Sequence, residues 1–311
     1  MIIKSLDIGR KTTKNNVFVA PLAGFSDAEF RRVCYDLGAG LCFTEMVSAK
    51  GILYDNKNTV DLLETTDSEY IKAVQIFGND PEIFKTVCSY GHLDKFDVVD
   101  INMGCPVPKV FGNGEGSALL LDPPLCGALV SACVSAGKTV TVKMRLGVEK
   151  GTFYALEVAK RVEEAGAKLI TVHARRRDDY YSGEPDVGAV SKIVSSVSVP
   201  VIFNGSVDGV SSADRYLMET GAAGVMLARA ALTAPWVVAD ILGNRDYDKK
   251  KIILSHIDGE FDRYGDYAAI KLRKQMSFYL KNVRGAKSLR IRAFGATNRA
   301  ELRSIVEDME F

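Results

Sequence analysis

The chain has 311 residues, 47% of them hydrophobic and 25% charged, with a net charge of +1 at pH 7. That balance belongs to a globular protein with a sizeable core and excludes an intrinsically disordered one. No apolar run approaches the ~18 residues that a membrane-spanning helix needs. The first fourteen residues carry no apolar signal core, and six cysteines are too sparse for a disulfide framework. A reducing, cytoplasmic setting with no membrane partner is expected.

In chain order, short runs rich in Val, Ile, Thr and Phe predict strands at 16–20, 41–45, 73–77, 98–102, 139–144, 169–173, 201–204 and 224–227. Helix signals lie between them. Ser26 before Asp27-Ala28-Glu29 reads as a capping box, with a stop at Gly38. Asp80-Pro81 reads as a cap followed by a first-turn proline. Helical patterns cover 123–136, 153–165, 187–195 and 211–220. Eight β-then-α units over about 240 residues predict an α/β protein built as a (β/α)8 TIM barrel. An open doubly wound sheet would want a glycine-rich dinucleotide turn after its first strand, and Pro21-Leu22-Ala23-Gly24-Phe25 is not one. Beyond 243 the pattern is charged and helical with no strand run. The expected organisation is therefore a catalytic barrel at 1–243 and a small all-helical domain at 244–311.

In such a barrel the reactive groups stand at the C-terminal strand ends and in the loops that follow. Glu45, Gln75, Asn102, Cys105, Lys143, Arg145, His173, Arg175, Asn204 and Arg229 all fall there. One or two polar strand ends would be satisfied loop-builders, but a full ring points to chemistry. Asn204-Gly205-Ser206 and Ala228-Arg229-Ala230 follow the last two strands, the usual phosphate site of the fold. The glycine-rich stretch 112–117 begins too far past its strand to be a second phosphate loop and reads as a lid or turn. Cys105 lies between Gly104 and Pro106 on a mouth loop beside Asn102, where a thiol of pKa near ~8.5 is a proton donor or a nucleophile. Lys143 suits either a Schiff base or a fixed cation. Only three histidines occur and no Cys-x-x-Cys, so no metal is expected. From Lys271 to Arg303 ten basic residues face one acid, Glu301, giving +9 and leaving −8 elsewhere. That asymmetry suits a polyanionic partner.

Taken together, these motifs resemble the tRNA-dihydrouridine synthases of bacteria. The matching stretches are APLAGFSDAEFR (20–31), FTEMVSAKG (43–51), VQIFGNDP (74–81), DINMGCPVPKV (100–110), GSALL (116–120), VKMRLG (142–147), VHARRR (172–177), IFNGSV (202–207), GVMLARAAL (224–232) and RKQMSFYL (273–280). The resemblance implies an FMN-bearing barrel, a helical RNA-binding domain, NADPH as reductant and tRNA as partner; a monomer is expected. It implies that Pro21, Leu22 and Ala23 back the flavin and that Gln75 and Lys143 meet its edge. It places His173, Asn204, Gly205, Ser206, Ala228 and Arg229 at its phosphate side. Cys105 would be the catalytic proton donor and Asn102 would orient the uracil, with Lys109, Arg145, Arg175 and Arg177 lining the substrate. Arg273, Lys274, Lys281, Arg284, Lys287, Arg290 and Arg292 would meet RNA. Leu22, Ser206, Ala228, Arg176 and Gln275 depart from the family's usual residues, the last two where RNA is expected to approach. The implied reaction is reduction of D-loop uridines to 5,6-dihydrouridine. Phe278, Tyr279 and Phe294 are expected in the core of the helical domain. A flavin reductase of a free pyrimidine and a non-catalytic tRNA-binding protein are the competing readings.

Overall fold

The computed structural model describes residues 3–89 and 91–311. A hairpin comes first, β1 (Asp7–Ile8) with β2 (Lys11–Thr12). The alternating unit follows: β3 (Val17–Val19), α1 (Ala28–Asp36), β4 (Leu41–Ser48), α2 (Ala49–Leu53), α3 (Lys57–Val60), β5 (Ala73–Phe77) and α4 (Pro81–Ser89). Then come β6 (Val98–Met103), α5 (Pro108–Gly112), α6 (Pro123–Ser135), β7 (Thr139–Arg145), α7 (Ala155–Glu164), β8 (Ile170–His173) and α8 (Val187–Val194). The barrel ends with β9 (Val201–Asn204), α9 (Val210–Thr220), β10 (Gly224–Leu227), α10 (Arg229–Thr233) and α11 (Val237–Ile241). Four further helices close the chain: α12 (Lys249–Tyr264), α13 (Ala268–Tyr279), α14 (Ala286–Gly295) and α15 (Arg299–Glu307).

Strands β3 to β10 pair in sequence order, all parallel, and β10 returns to β3 to close the expected barrel. Period two sorts their side chains. One set (Val17, Val74, Val99, Ile101, Val142, Val172, Phe203 and Val225 among them) points outward into the core beneath the helices. The other set fills the barrel. Its lower part is apolar, with Phe18, Leu41, Phe43, Ala73, Val98, Leu169, Ile202 and Met226 packed against Leu6 and Ile8 of the hairpin. The hairpin plugs the bottom of the barrel, a role its polar two-residue strands did not announce. Higher up, the same inward positions turn polar. The ring seen in the sequence is the top of the barrel filling.

Two local expectations change. The N-cap of α1 is Asp27, whose carboxylate accepts from the Phe30 N–H at 3.0 Å, and not Ser26. Ser26 instead accepts from the Leu22 N–H at 2.8 Å and tightens the mouth turn. β4 also runs on to Ser48.

The C-terminal helices hold their own apolar cluster, including Trp236, Ile253, Leu272, Met276, Leu302 and Ile305. They dock on α1. Gly259 of α12 permits the close approach, since a Cβ there would clash with the Glu29 carboxylate. Arg263 bridges Glu29 at 3.1 Å and Glu64 at 2.7 Å. Below them Asp27, His256 and Glu260 bring potential metal-ligand atoms within 4.8 Å of one another. The cation present there is Lys271, 3.3 Å from Asp27 and 3.6 Å from Glu260. Among the described residues, no helix is long and apolar enough to cross a membrane.

Candidate active site

The loop after β6 carries Cys105. Asn102, the penultimate residue of that strand, accepts through Oδ1 from the N–H groups of Gly104 (3.1 Å) and Cys105 (2.9 Å). Ser117 holds the other side of the turn, its hydroxyl and its N–H donating to the Cys105 carbonyl at 2.8 and 3.1 Å. So the 112–117 stretch is a turn that clamps Cys105, and Ser117 is a site residue that sequence reading passed over. Burial pushes the Cys105 thiol up, against the pull of Arg145 and Lys143. At neutral pH it is a thiol, able to give a proton.

Lys143 lies beside Asn102 in register and donates to Asn204 Oδ1 at 3.1 Å. Burial, followed by Arg145, brings its ammonium down to about 8. Asn204 Nδ2 donates in turn to the Met226 carbonyl at 2.8 Å. Gln75 Oε1 accepts from Asn102 Nδ2 at 2.8 Å, and Gln75 Nε2 donates to the buried Asp100 carboxylate at 2.6 Å. Asp100 was absent from the sequence expectations, though its place two residues before Asn102 on an inward face was the available signal.

His173 is buried beneath four cations. Burial comes first, then Arg145, Lys143, Arg175 and Arg229, in holding its imidazole well below the usual range, so it is neutral. Arg175 reaches the Ser182 and Gly183 carbonyls at 2.9 and 2.6 Å and the Ser206 hydroxyl at 2.8 Å. Ser206 and Gly205 both adopt positive φ, +53° and +127°. A Cβ on Gly205 would lie 3.2 Å from His173 Cδ2 and 3.3 Å from Arg175, so a bare backbone is needed. Arg229 is exposed and lies over the Tyr181 ring at 4.9 Å, and Arg145 lies 5.7 Å from the same ring. Tyr181 thus closes the cationic side, another residue the motifs did not single out.

This donor set fits a phosphate-bearing flavin. The cations converge on one neutral imidazole and a glycine-floored turn, and that excess suits an anion. Pro21, Leu22 and Ala23 form a partly open turn after β3, the barrel neighbour of β10. Its shape is set by the Gly24 N–H donating to Glu45 and by the buried Arg31–Glu69 pair behind it.

The structure does not bring every expected substrate residue to one place. Lys109 lines a cavity of about 570 Å³ with Ser48, Lys50, Phe77, Asn113 and Glu115. Arg177 stacks on Phe111 at 3.9 Å. Arg145 is spent on the Gly104 and Arg176 carbonyls, at 3.0 and 2.7 Å. In the helical region Lys274, Lys281 and Lys287 are exposed, and Arg273 and Arg290 are half-buried. Arg284 and Arg292 pair with Glu310 (3.3 Å) and Asp308 (2.6 Å). Gln275 does not face an RNA approach: it is buried and donates to the Leu232 carbonyl at 2.8 Å. Arg176 is likewise engaged, with the Thr152 carbonyl at 2.8 Å. Tyr279 is in the helical core; contrary to expectation, Phe278 packs edge-on against Phe25 at 5.2 Å on the barrel cluster, and Phe294 is exposed.

A family model described as dihydrouridine synthase (Dus) matches residues 18–310. The chain is 34% identical to tRNA-dihydrouridine synthase B of Pseudomonas syringae over 93% of this chain and 89% of that one. It is 32% identical to the protein of the same name from Vibrio parahaemolyticus, over 96% of each. Histamine dehydrogenase from Rhizobium shares the fold at 15% identity, with a TM-score of 0.62 over 82% of this chain and 50% of that one. An old yellow enzyme homologue from Zymomonas mobilis does so at 12% identity, with a TM-score of 0.59 over 79% and 93%. With a family match along almost its whole length and relatives a third identical end to end, the chain belongs to the bacterial tRNA-dihydrouridine synthases and is an oxidoreductase of that family.

Proposed function

We propose that the chain reduces uridines of the tRNA D-loop to 5,6-dihydrouridine, using FMN and NADPH, with Cys105 as proton donor. The observation that carries this reading is the neutral thiol of Cys105, clamped by Asn102 and Ser117 beside a cation-rich barrel mouth. Asn204, Gly205, Ser206, Ala228 and Arg229 would hold the FMN phosphate, with His173 beside it. Gln75 and Lys143 would meet the ring edge, and Pro21, Leu22 and Ala23 its apolar face. Held by these residues, FMN would supply the hydride chemistry that links NADPH to carbon-6 of uracil.

The chain's own residues do the rest. Asn102 donates to a uracil carbonyl with the N–H left over from Gln75, which favours the enolate charge. Cys105 gives its proton to carbon-5, so the C5–C6 double bond becomes single and two C–H bonds form. The thiolate left behind lies near Arg145 and Lys143 and regains a proton from water. The target base must leave its stack, which costs a few kcal/mol and favours a strained loop. The catalytic barrel would span residues 1–243 and the helical domain 244–311. The helical region would grip RNA backbone, and Lys274 of α13 lies against the Gly24 turn at the mouth, so the two surfaces run together.

Incubation with NADPH and unmodified tRNA, followed by nucleoside mass spectrometry, tests the proposal. Nucleosides heavier by two hydrogens at D-loop uridines are expected. Reduction of free uracil or orotate with untouched tRNA would overturn it.

A further inference from the structure

We propose that Asp100 is a positioning residue for this reaction: it fixes the polarity of the Gln75 and Asn102 amides and, through them, the loop that carries Cys105. The inference rests on the reading of Cys105 as the acid. Asp100 lies one inward layer below Asn102 on β6 and is buried. Register places it between Gln75 on β5 and Thr141 on β7. Thr141 donates its hydroxyl proton to Oδ1 at 2.6 Å, and Gln75 Nε2 donates to Oδ2 at 2.6 Å. The chain then runs from Gln75 Oε1 to Asn102 Nδ2 at 2.8 Å, and from Asn102 Oδ1 to the N–H groups of Gly104 and Cys105.

An amide can be turned end for end, so a chain of two has a choice of direction. Here both ends decide it the same way. Backbone N–H groups only donate, so Asn102 must show them oxygen. An ionised carboxylate only accepts, so Gln75 must show it nitrogen. Each amide keeps one further N–H, that of Asn102 set only toward the Met46 sulfur at 4.0 Å, a weak acceptor, and these are the donors that a uracil carbonyl and a flavin edge require. Replacing the carboxylate by an amide leaves the Gly104 and Cys105 N–H groups as the single deciding end. The reversed chain, with Gln75 and Asn102 turned and an amino group facing the Cys105 N–H, is then no longer opposed at position 100 and gains population. Burial pushes the Asp100 carboxyl up to about 6, against Gln75, Thr141 and Lys143, so it remains ionised at pH 7. A buried carboxylate is a cost that an apolar residue would avoid, as is usual for functional sites.

The test is alkylation of Cys105 by iodoacetamide in the holoenzyme, read at the peptide level and followed with pH. The pH profile separates thiol acidity from access. Asp100→Asn should raise the access-limited rate about fivefold and lower kcat on tRNA about tenfold, with KM within about twofold. Adding Gln75→Glu to Asp100→Asn restores an acceptor toward Asn102 and should return alkylation to within about twofold of wild type. Unchanged alkylation in Asp100→Asn, or a double variant no nearer wild type than the single, would overturn the proposal. If Asp100→Asn does not fold, Thr141→Val loosens only one hydrogen bond and should raise alkylation about twofold. A folded Thr141→Val with a wild-type rate would overturn it equally. Alkylation needs no turnover, so failure of the tRNA reaction itself would appear separately, as inactivity of the wild-type enzyme.

Discussion

Cys105 can act as an acid only while it keeps its proton, and burial keeps it protonated at pH 7. Cys105→Ala should still be reduced by NADPH but should turn over tRNA about 10²–10⁴-fold more slowly, checked by single-turnover dihydrouridine formation. Undiminished turnover would remove the thiol from the mechanism. Lys143 sets a second limit. Its ammonium, brought down to about 8, is lost as pH rises through that value. The rate on tRNA should therefore fall through about pH 8, before the thiol ionises. In Lys143→Arg that alkaline limb should move upward, because a guanidinium keeps its proton. A limb that stays in place in Lys143→Arg would show that another group titrates there.

The elements owe their positions to buried polar pairs as much as to apolar packing. Arg31 of α1 is held by Glu69 at 2.8 Å, with both side chains almost wholly buried, and it also donates to the Ser26 carbonyl at 2.7 Å. Glu69→Ala would leave a buried guanidinium unpaired and should destabilise the protein by about 3–5 kcal/mol in denaturant titration. An effect near zero would mean water reaches Arg31. At the docking of α12 on α1, Asp27 is the anion that faces Lys271, and Glu260 keeps its proton. Burial, then Asp27, pushes the Glu260 carboxyl up to about 9. The folded state therefore holds a proton that the unfolded chain releases above its ordinary carboxylate pKa. Stability from this group falls as pH rises from about 4.5 to 9. Glu260→Gln does not titrate, so its stability relative to wild type should grow between pH 6 and 8.5. A constant difference would mean Glu260 is ionised throughout.

Over the whole molecule the charge asymmetry is smaller than the sequence implies, because Lys271, Arg284, Arg292, Arg299 and Arg303 all meet acids. Lys274, Lys281 and Lys287 are the exposed tail cations without an ion pair among the described residues, and the proposed RNA contact would fall to them. Reversing them should flatten the salt dependence of tRNA binding by about one slope unit per lost phosphate contact. An unchanged slope would take this surface out of the interface. The barrel was legible because its parallel strands, buried on both faces, read as continuous apolar runs, and because polar residues recur at their C-terminal ends. The hairpin plug was not, since two-residue strands leave no periodicity. For Asp100 only the inward face was legible, from its spacing to Asn102; its role and that of Ser117 were not, since these lie in contacts between β5, β6 and β7 or across a turn. Phe294 was misread because α14 carries no clear apolar face: it buries Leu289 and Ala293 and exposes Ile291 and Phe294. The most direct measurement is anaerobic. The holoenzyme's flavin is reduced with NADPH, and its reoxidation is followed on adding tRNA that lacks dihydrouridine. We expect fast reoxidation by that tRNA and none by free uracil, orotate or fully modified tRNA. Reoxidation by a free pyrimidine alone would contradict the proposed function.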